Sequence, residues 1–138
     1  MTPYSAPVDE MLFVINKVAD FPDIKSLPHY KEVTLKLAQT IIEEADKFGT
    51  EILAPLNQSG DLNGCIIENG IVHSPDGFKK AYDQFVNNGW NGAPFATDIG
   101  GQGLPWIISM ALSEIWHSSN MAFGICPMVT QSAVVLLD

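Results

Sequence analysis

The sequence predicts an all-α fold, a helical bundle with one small β-hairpin near residues 65–73. Three observations carry this. Apolar residues recur at helical spacing in several separate segments. Pro and Gly clusters fall mostly between those segments. β-Branched residues pair up in one short stretch, where Cys65-Ile66-Ile67-Glu68 and Ile71-Val72-His73 flank Asn69-Gly70, the strongest short hairpin signal.

The elements follow in order. Pro7 stands at the entry to a helix over residues 8–19, with Met11, Leu12, Ile15 and Val18 at helical spacing. Phe21-Pro22 and Leu27-Pro28 break the chain. The longest helix is expected from Tyr30 to Leu53. Val33, Leu37, Ile41, Ala45, Phe48 and Ile52 form its stripe, thickened by Ala38, Ile42 and Leu53. Gly49 predicts a kink or early end, Pro55 a stop, and residues 57–64 a turn. Glu43, Glu44, Asp46 and Lys47 read as the solvated face. After the hairpin, Phe78, Ala81, Tyr82, Phe85 and Val86 line a helix over 77–88, closed by Gly89. Residues 89–105 read as an aromatic, glycine-rich loop. Ile108, Ala111, Leu112 and Ile115 give the inner face of a helix over 105–117, with Trp106 and Trp116 at its ends. Ser118-Ser119-Asn120 breaks it, and Pro127 opens a last helix, Met128 to Leu137.

Composition narrows the function classes. The 138 residues are 46% hydrophobic and 17% charged, too apolar for a disordered segment. Net charge is -9 and every basic residue is Lys, which disfavours nucleic acid and anionic membranes as partners. No apolar run has the ~18 residues that span a bilayer, and MTPYSAPVDE lacks the features of a signal or transit peptide. Cys65 and Cys126 are too few and too distant for a disulfide scaffold or metal site. They read as buried or half-buried thiols in a reducing, cytoplasmic setting.

Charge is uneven along the chain. All seven Lys and twelve of the sixteen acids lie in residues 1–80. The remaining 58 residues carry only Asp83, Asp98, Glu114 and Asp138. Helices that meet water carry charge on one face, so this half is expected to be covered by more polypeptide or by a partner. The uncapped apolar run Ser132 to Leu137 adds the expectation of an N-terminal piece of a larger protein.

Few residues suggest chemistry. Gly100-Gly101-Gln102-Gly103 lacks the preceding strand and following Lys of a phosphate loop, so its glycines read as a tight turn between packed helices. His29, His73 and His117 form no ligand cluster with each other or with acids, and no metal site is expected. Asp83 and Glu114 are single acids, and Ser109 and Ser132 have no local base, so no catalytic residue is assigned. Residues 121–131, rich in Gly, Met and Pro and free of charge, read as a helix–helix interface or as the wall of an apolar ligand channel.

Several motifs carry a resemblance. They are Tyr4-Ser5-Ala6-Pro7 with Met11 to Asn16, Ala54-Pro55-Leu56-Asn57 with Gly60-Asp61, and Pro75-Asp76-Gly77-Phe78-Lys79 with Ala81-Tyr82. Further along stand Gly89-Trp90-Asn91-Gly92, Gly100-Gly101-Gln102-Gly103-Leu104-Pro105, Ser113-Glu114 and Thr130-Gln131. In this order and spacing the chain resembles the N-terminal part of the large bacterial acyl-CoA dehydrogenases, flavoproteins with an N-terminal extension. The resemblance implies an extension helix and linker over 1–29. It also implies the family's N-terminal helical domain over 30–138, incomplete at its C-terminus, with the middle β-domain and C-terminal helical domain absent.

In that family a Glu base takes the α proton of an acyl-CoA thioester, FAD takes the β hydride, and an electron-transfer flavoprotein or similar acceptor receives the electrons. The base and most flavin contacts belong to the absent domains, and Thr97 and Asp98 stand where the family often carries other residues. The resemblance therefore implies FAD, homo-oligomers and contacts with the remaining domains for the full-length protein, and no dehydrogenase activity for this chain alone. It places the acyl-pocket wall at Phe123, Gly124, Ile125, Met128 and Val129. The alternative reading is a stand-alone helical module that binds an acyl chain or a protein without redox chemistry.

Overall fold

Pro7 leads into α1 (Val8–Phe13), which continues through a π-helical turn at Val14–Val18 and buries Met11 and Ile15. This is a computed structural model, and it describes residues 4–137; Asp138, the end of the expected domain, and residues 1–3 lie outside the described part. Phe21-Pro22 does not break the chain but opens a short helix, α2 (Phe21–Ser26). Proline is tolerated in a first helical turn, where its missing N–H removes no bond.

Helix α3 (Leu35–Phe48) begins later than Tyr30, because Thr34 caps it by accepting a hydrogen bond from the Leu37 N–H at 3.0 Å. Its buried stripe is Ala38, Ile42, Ala45 and Phe48, while Leu37, expected inside, is exposed. Asp46 also departs from expectation. It is half-buried, accepting hydrogen bonds from the Ala6 N–H at 2.7 Å and the Thr50 hydroxyl at 3.2 Å, and so ties the N-terminal segment to α3.

Pro55 does not stop the helix. A π-helical turn at Gly49–Leu53 leads directly into α4 (Ala54–Asn63), with Pro55 in its first turn. The wider turn relieves the clash between a proline ring and the carbonyl four residues back. Residues 57–63 are thus helical rather than a turn. Gly49 is required by packing: a Cβ there would stand 2.9 Å from a methyl of Ile115.

The hairpin forms at the expected place, β1 (Ile66–Glu68) and β2 (Ile71–His73), with Ile67 opposite Val72. Asn69 and Gly70 both have positive φ, as a two-residue turn of this kind demands. Neither strand buries a residue. Helix α5 (Phe78–Asn87) buries Ala81 and Phe85 but leaves Val86 exposed.

Helix α6 (Trp106–Ser119) is followed after one residue by α7 (Met121–Leu137). The last helix therefore starts seven residues before Met128, and Pro127 lies inside it. Asn120 explains the early start. Its backbone is extended, its side-chain oxygen accepts a hydrogen bond from the Phe123 N–H at 3.0 Å, and its amide donates to the Leu53 carbonyl at 3.1 Å. Both bonds are buried, so one side chain caps α7 and pins it to the π turn after α3.

The core is aromatic at its centre. Phe85 meets Trp116 at 5.4 Å and Phe123 at 5.5 Å between ring centroids, both edge to face, and Phe48 meets Trp116 at 5.7 Å. Such pairs add ~0.5–1.5 kcal/mol each beyond their burial. Cys65 and Cys126, expected to be at least half-buried, are both exposed free thiols.

Ile42→Ala is expected to lower the unfolding free energy by about 2–5 kcal/mol. Asn120→Ala, which strands the Phe123 N–H and the Leu53 carbonyl, is expected to cost about 1–3 kcal/mol. Urea titration followed by circular dichroism checks both. Tyr4 gives a pH dependence. Partial burial, with smaller contributions from the Asp46 and Glu114 carboxylates, raises its phenol above the ordinary value, against a lowering hydrogen bond from Ser118. The stability from the neutral phenol is complete below about pH 10 and is lost as pH rises through the higher folded value. Tyr4→Phe should flatten that alkaline decline in a stability–pH profile.

Candidate functional site

The glycine loop forms the tight turn expected of it, and its backbone donors are used within it. The Gly101 N–H donates to the Ala96 carbonyl at 2.9 Å, Gln102 to Gly92 at 3.0 Å, and Gly103 to Phe95 at 2.8 Å. Gly100 donates to Thr97 at 3.2 Å. The donors an anion would need are therefore spent within the loop. Gly101 is there for close approach, since a Cβ would fall 2.0 Å from the Phe95 carbonyl oxygen. Gln102 reinforces the turn by donating to the Gly89 carbonyl at 2.9 Å. With no Lys or Arg after residue 80, these residues do not fit the pyrophosphate of a flavin nucleotide.

Helix α7 holds all five acyl-wall residues expected from the sequence, and they divide between two faces. Phe123 and Gly124 point inward and are buried. Ile125, Met128 and Val129 point outward, with Val129 62% exposed. Gly124 admits the imidazole of His117, since a Cβ would meet the ring at 3.0 Å. That imidazole is oriented by a contact of its Nδ1 with the Ser113 carbonyl at 2.7 Å. Gln131 then donates to the Asn91 carbonyl at 3.1 Å, joining α7 to the loop after α5.

Phe123 borders an open apolar cavity of about 470 Å³ between α4, α5, α7 and the segments that flank the hairpin. Phe78, Tyr82 and Ala122 contribute to its wall, with Cys65, Cys126 and Lys79 beside them. Its size falls within the usual range for small-molecule pockets. Sequence reasoning missed it because Phe78 and Tyr82 read simply as the core stripe of α5. The remaining polar groups do not converge: Asp83 pairs with Lys79 at 2.7 Å, and no group of three or more His, Cys, Asp or Glu among the described residues is placed to hold a metal. No described helix is long and apolar enough to cross a membrane.

Comparison with known proteins gives one informative match. No family model matches the chain. It is 40% identical over 135 residues to the 3-methylmercaptopropionyl-CoA dehydrogenase of Ruegeria pomeroyi. The aligned part is 98% of this chain and 23% of that protein, so the chain spans about a quarter of its relative's length. Over nearly its whole length, this helical chain matches the N-terminal region of an acyl-CoA dehydrogenase.

Proposed function

We propose that the chain serves as the N-terminal, acyl-pocket-forming part of a flavin-dependent acyl-CoA dehydrogenase. The observation that carries this reading is the 40% identity to a 3-methylmercaptopropionyl-CoA dehydrogenase across 98% of the chain. In the whole protein the reaction would be α,β-dehydrogenation of an acyl-CoA thioester, with electrons passing to FAD and then to an electron-transfer protein. The catalytic base and the flavin site would come from other parts of the polypeptide. This chain's share is apolar: α7 would supply the wall at Phe123, Gly124, Ile125, Met128 and Val129, and its outward side chains would pack against the remaining domains. Closing such a surface over the acyl chain excludes water, which strengthens the electrostatic interactions on which proton abstraction depends.

A second reading, a stand-alone acyl-binding module, is favoured by the cavity beside Phe123, which offers apolar walls to an aliphatic chain.

The purified 138-residue chain is expected to show no flavin absorbance and no acyl-CoA-dependent dye reduction. Turnover by this chain alone would overturn the proposal. An apolar-surface dye should fluoresce strongly with it, and Val129→Lys combined with Leu136→Lys should reduce that signal severalfold at unchanged helicity. Saturable binding of a fluorescent fatty acid, abolished by Ala122→Trp, would favour the second reading.

A further inference from the structure

The glycine loop holds an aromatic ring in place. The Phe95 carbonyl accepts the Gly103 N–H at 2.8 Å, and the missing Cβ of Gly101 lets the backbone pass close against it. Trp106, in the first turn of α6, stands beside the Phe95 ring at 6.2 Å between centroids and 78° between planes. Two rings set nearly at right angles form a corner. A cavity of about 610 Å³ opens on it, between the loop, the start of α6 and the segment that joins α2 to α3. Tyr30, Glu32 and Val33 border the cavity from that segment. The segment is anchored: the Tyr30 N–H donates to the Leu27 carbonyl and the Val33 N–H to the Tyr30 carbonyl, both at 2.9 Å, and Val33 is buried.

The charge around the cavity is one-sided. Its titratable side chains are Glu32, His29 and Tyr30, and no lysine borders it. Lys31 lies between Tyr30 and Glu32 in the chain but outside the lining. The two ion pairs among the described residues, Lys47–Glu44 and Lys79–Asp83, leave Glu32 free. Trp90 and Trp116 pack in or against the core, whereas Trp106 is 48% exposed.

We propose that this cavity binds a small quaternary ammonium compound, its methylated nitrogen seated among the rings of Phe95, Trp106 and Tyr30, with Glu32 supplying the counter-charge. The π faces of aromatic rings attract a weakly hydrated cation, and a nearby carboxylate adds Coulomb attraction. A quaternary nitrogen has no N–H to donate, so walls of rings suit it better than a set of hydrogen-bond acceptors. An aliphatic acid would instead meet the Glu32 carboxylate. The volume lies in the usual range for small-molecule sites, and a chain of net charge -9 draws cations to its surface. The inference is independent of the dehydrogenase reading.

Saturation-transfer NMR of the 138-residue chain tests it, with choline titrated at constant ionic strength beside its neutral analogue, in which carbon replaces the nitrogen. Choline is expected to bind saturably and about tenfold more tightly than the analogue. Trp106→Leu keeps an apolar side chain but removes the ring. It should weaken choline about tenfold and leave the analogue within about twofold. Glu32→Gln, at an exposed residue, should weaken choline about threefold. Far-ultraviolet circular dichroism confirms that the folds match. Choline signals that do not saturate would overturn the proposal. So would equal affinity for the neutral analogue, which a merely apolar pocket would give, or choline binding indifferent to either substitution.

Discussion

The constraint on which the structure depends is that α7 is largely apolar and carries no charged residue yet buries only one stripe. Phe123, Gly124 and Pro127 face the core, while Met121, Ile125, Met128, Val129, Val135, Leu136 and Leu137 are exposed. A helix of that character is ordinarily enclosed. Burying a Leu, Val or Met side chain fully contributes about 1.5–3 kcal/mol, so a surface that covered several of these residues would be held strongly. Scattered apolar residues on a protein surface need no explanation, but a helix face made almost wholly of them marks a site of contact. The charge-poor half of the sequence and this exposed face are one fact seen at two levels.

What fixes α7 in place is polar and small. Asn120 satisfies the first turn of α7 and the carbonyl of Leu53 at once, 67 residues away in the chain. Because both bonds are buried, losing either leaves an orphaned group that water cannot reach. The aromatic cluster of Phe85, Trp116 and Phe123 then fixes the angle at which α7 leaves the core. His117 fills the notch at Gly124. The contact face is thus presented by a rigid junction rather than by a loop.

Much of this was legible in the sequence. The all-α class, the Asn-Gly hairpin, α5 and the inner face of α6 follow from periodicity and turn chemistry. The failures share a cause. The sequence predicts a break at Pro22, a stop at Pro55 and a helix start at Pro127, yet Pro22 and Pro55 sit in first turns and Pro127 lies inside a helix. Proline constrains only its local backbone, and whether it ends a helix depends on what surrounds it. The π turn before Pro55 lets the helix run on past the proline, and no local sequence pattern announces such a turn. Asn120 was read as a breaker, although the residue type that interrupts one helix is the type that caps the next. The expected acyl-wall residues were all placed on one helix, but its register divides them between core and solvent. The cavity beside Phe123 combines three helices and the segments that flank the hairpin, so no single segment announces it.

The polar groups of the chain mostly serve the fold itself. Its glycine loop spends its own donors on its own carbonyls, so it holds a shape without attracting an anion. Among the described residues, the buried side chains of Ser119 and Asn120 are hydrogen-bonded to backbone, whereas the Trp90 indole N–H, the Asn91 side-chain oxygen and the Ser109 hydroxyl are buried without a partner. The outer face of α7 carries no charged residue, and its one titratable side chain is the exposed thiol of Cys126. Covering that face would therefore bury no charged side chain. A face that can be covered without desolvating a charge is what the proposed role as an acyl-pocket wall would require.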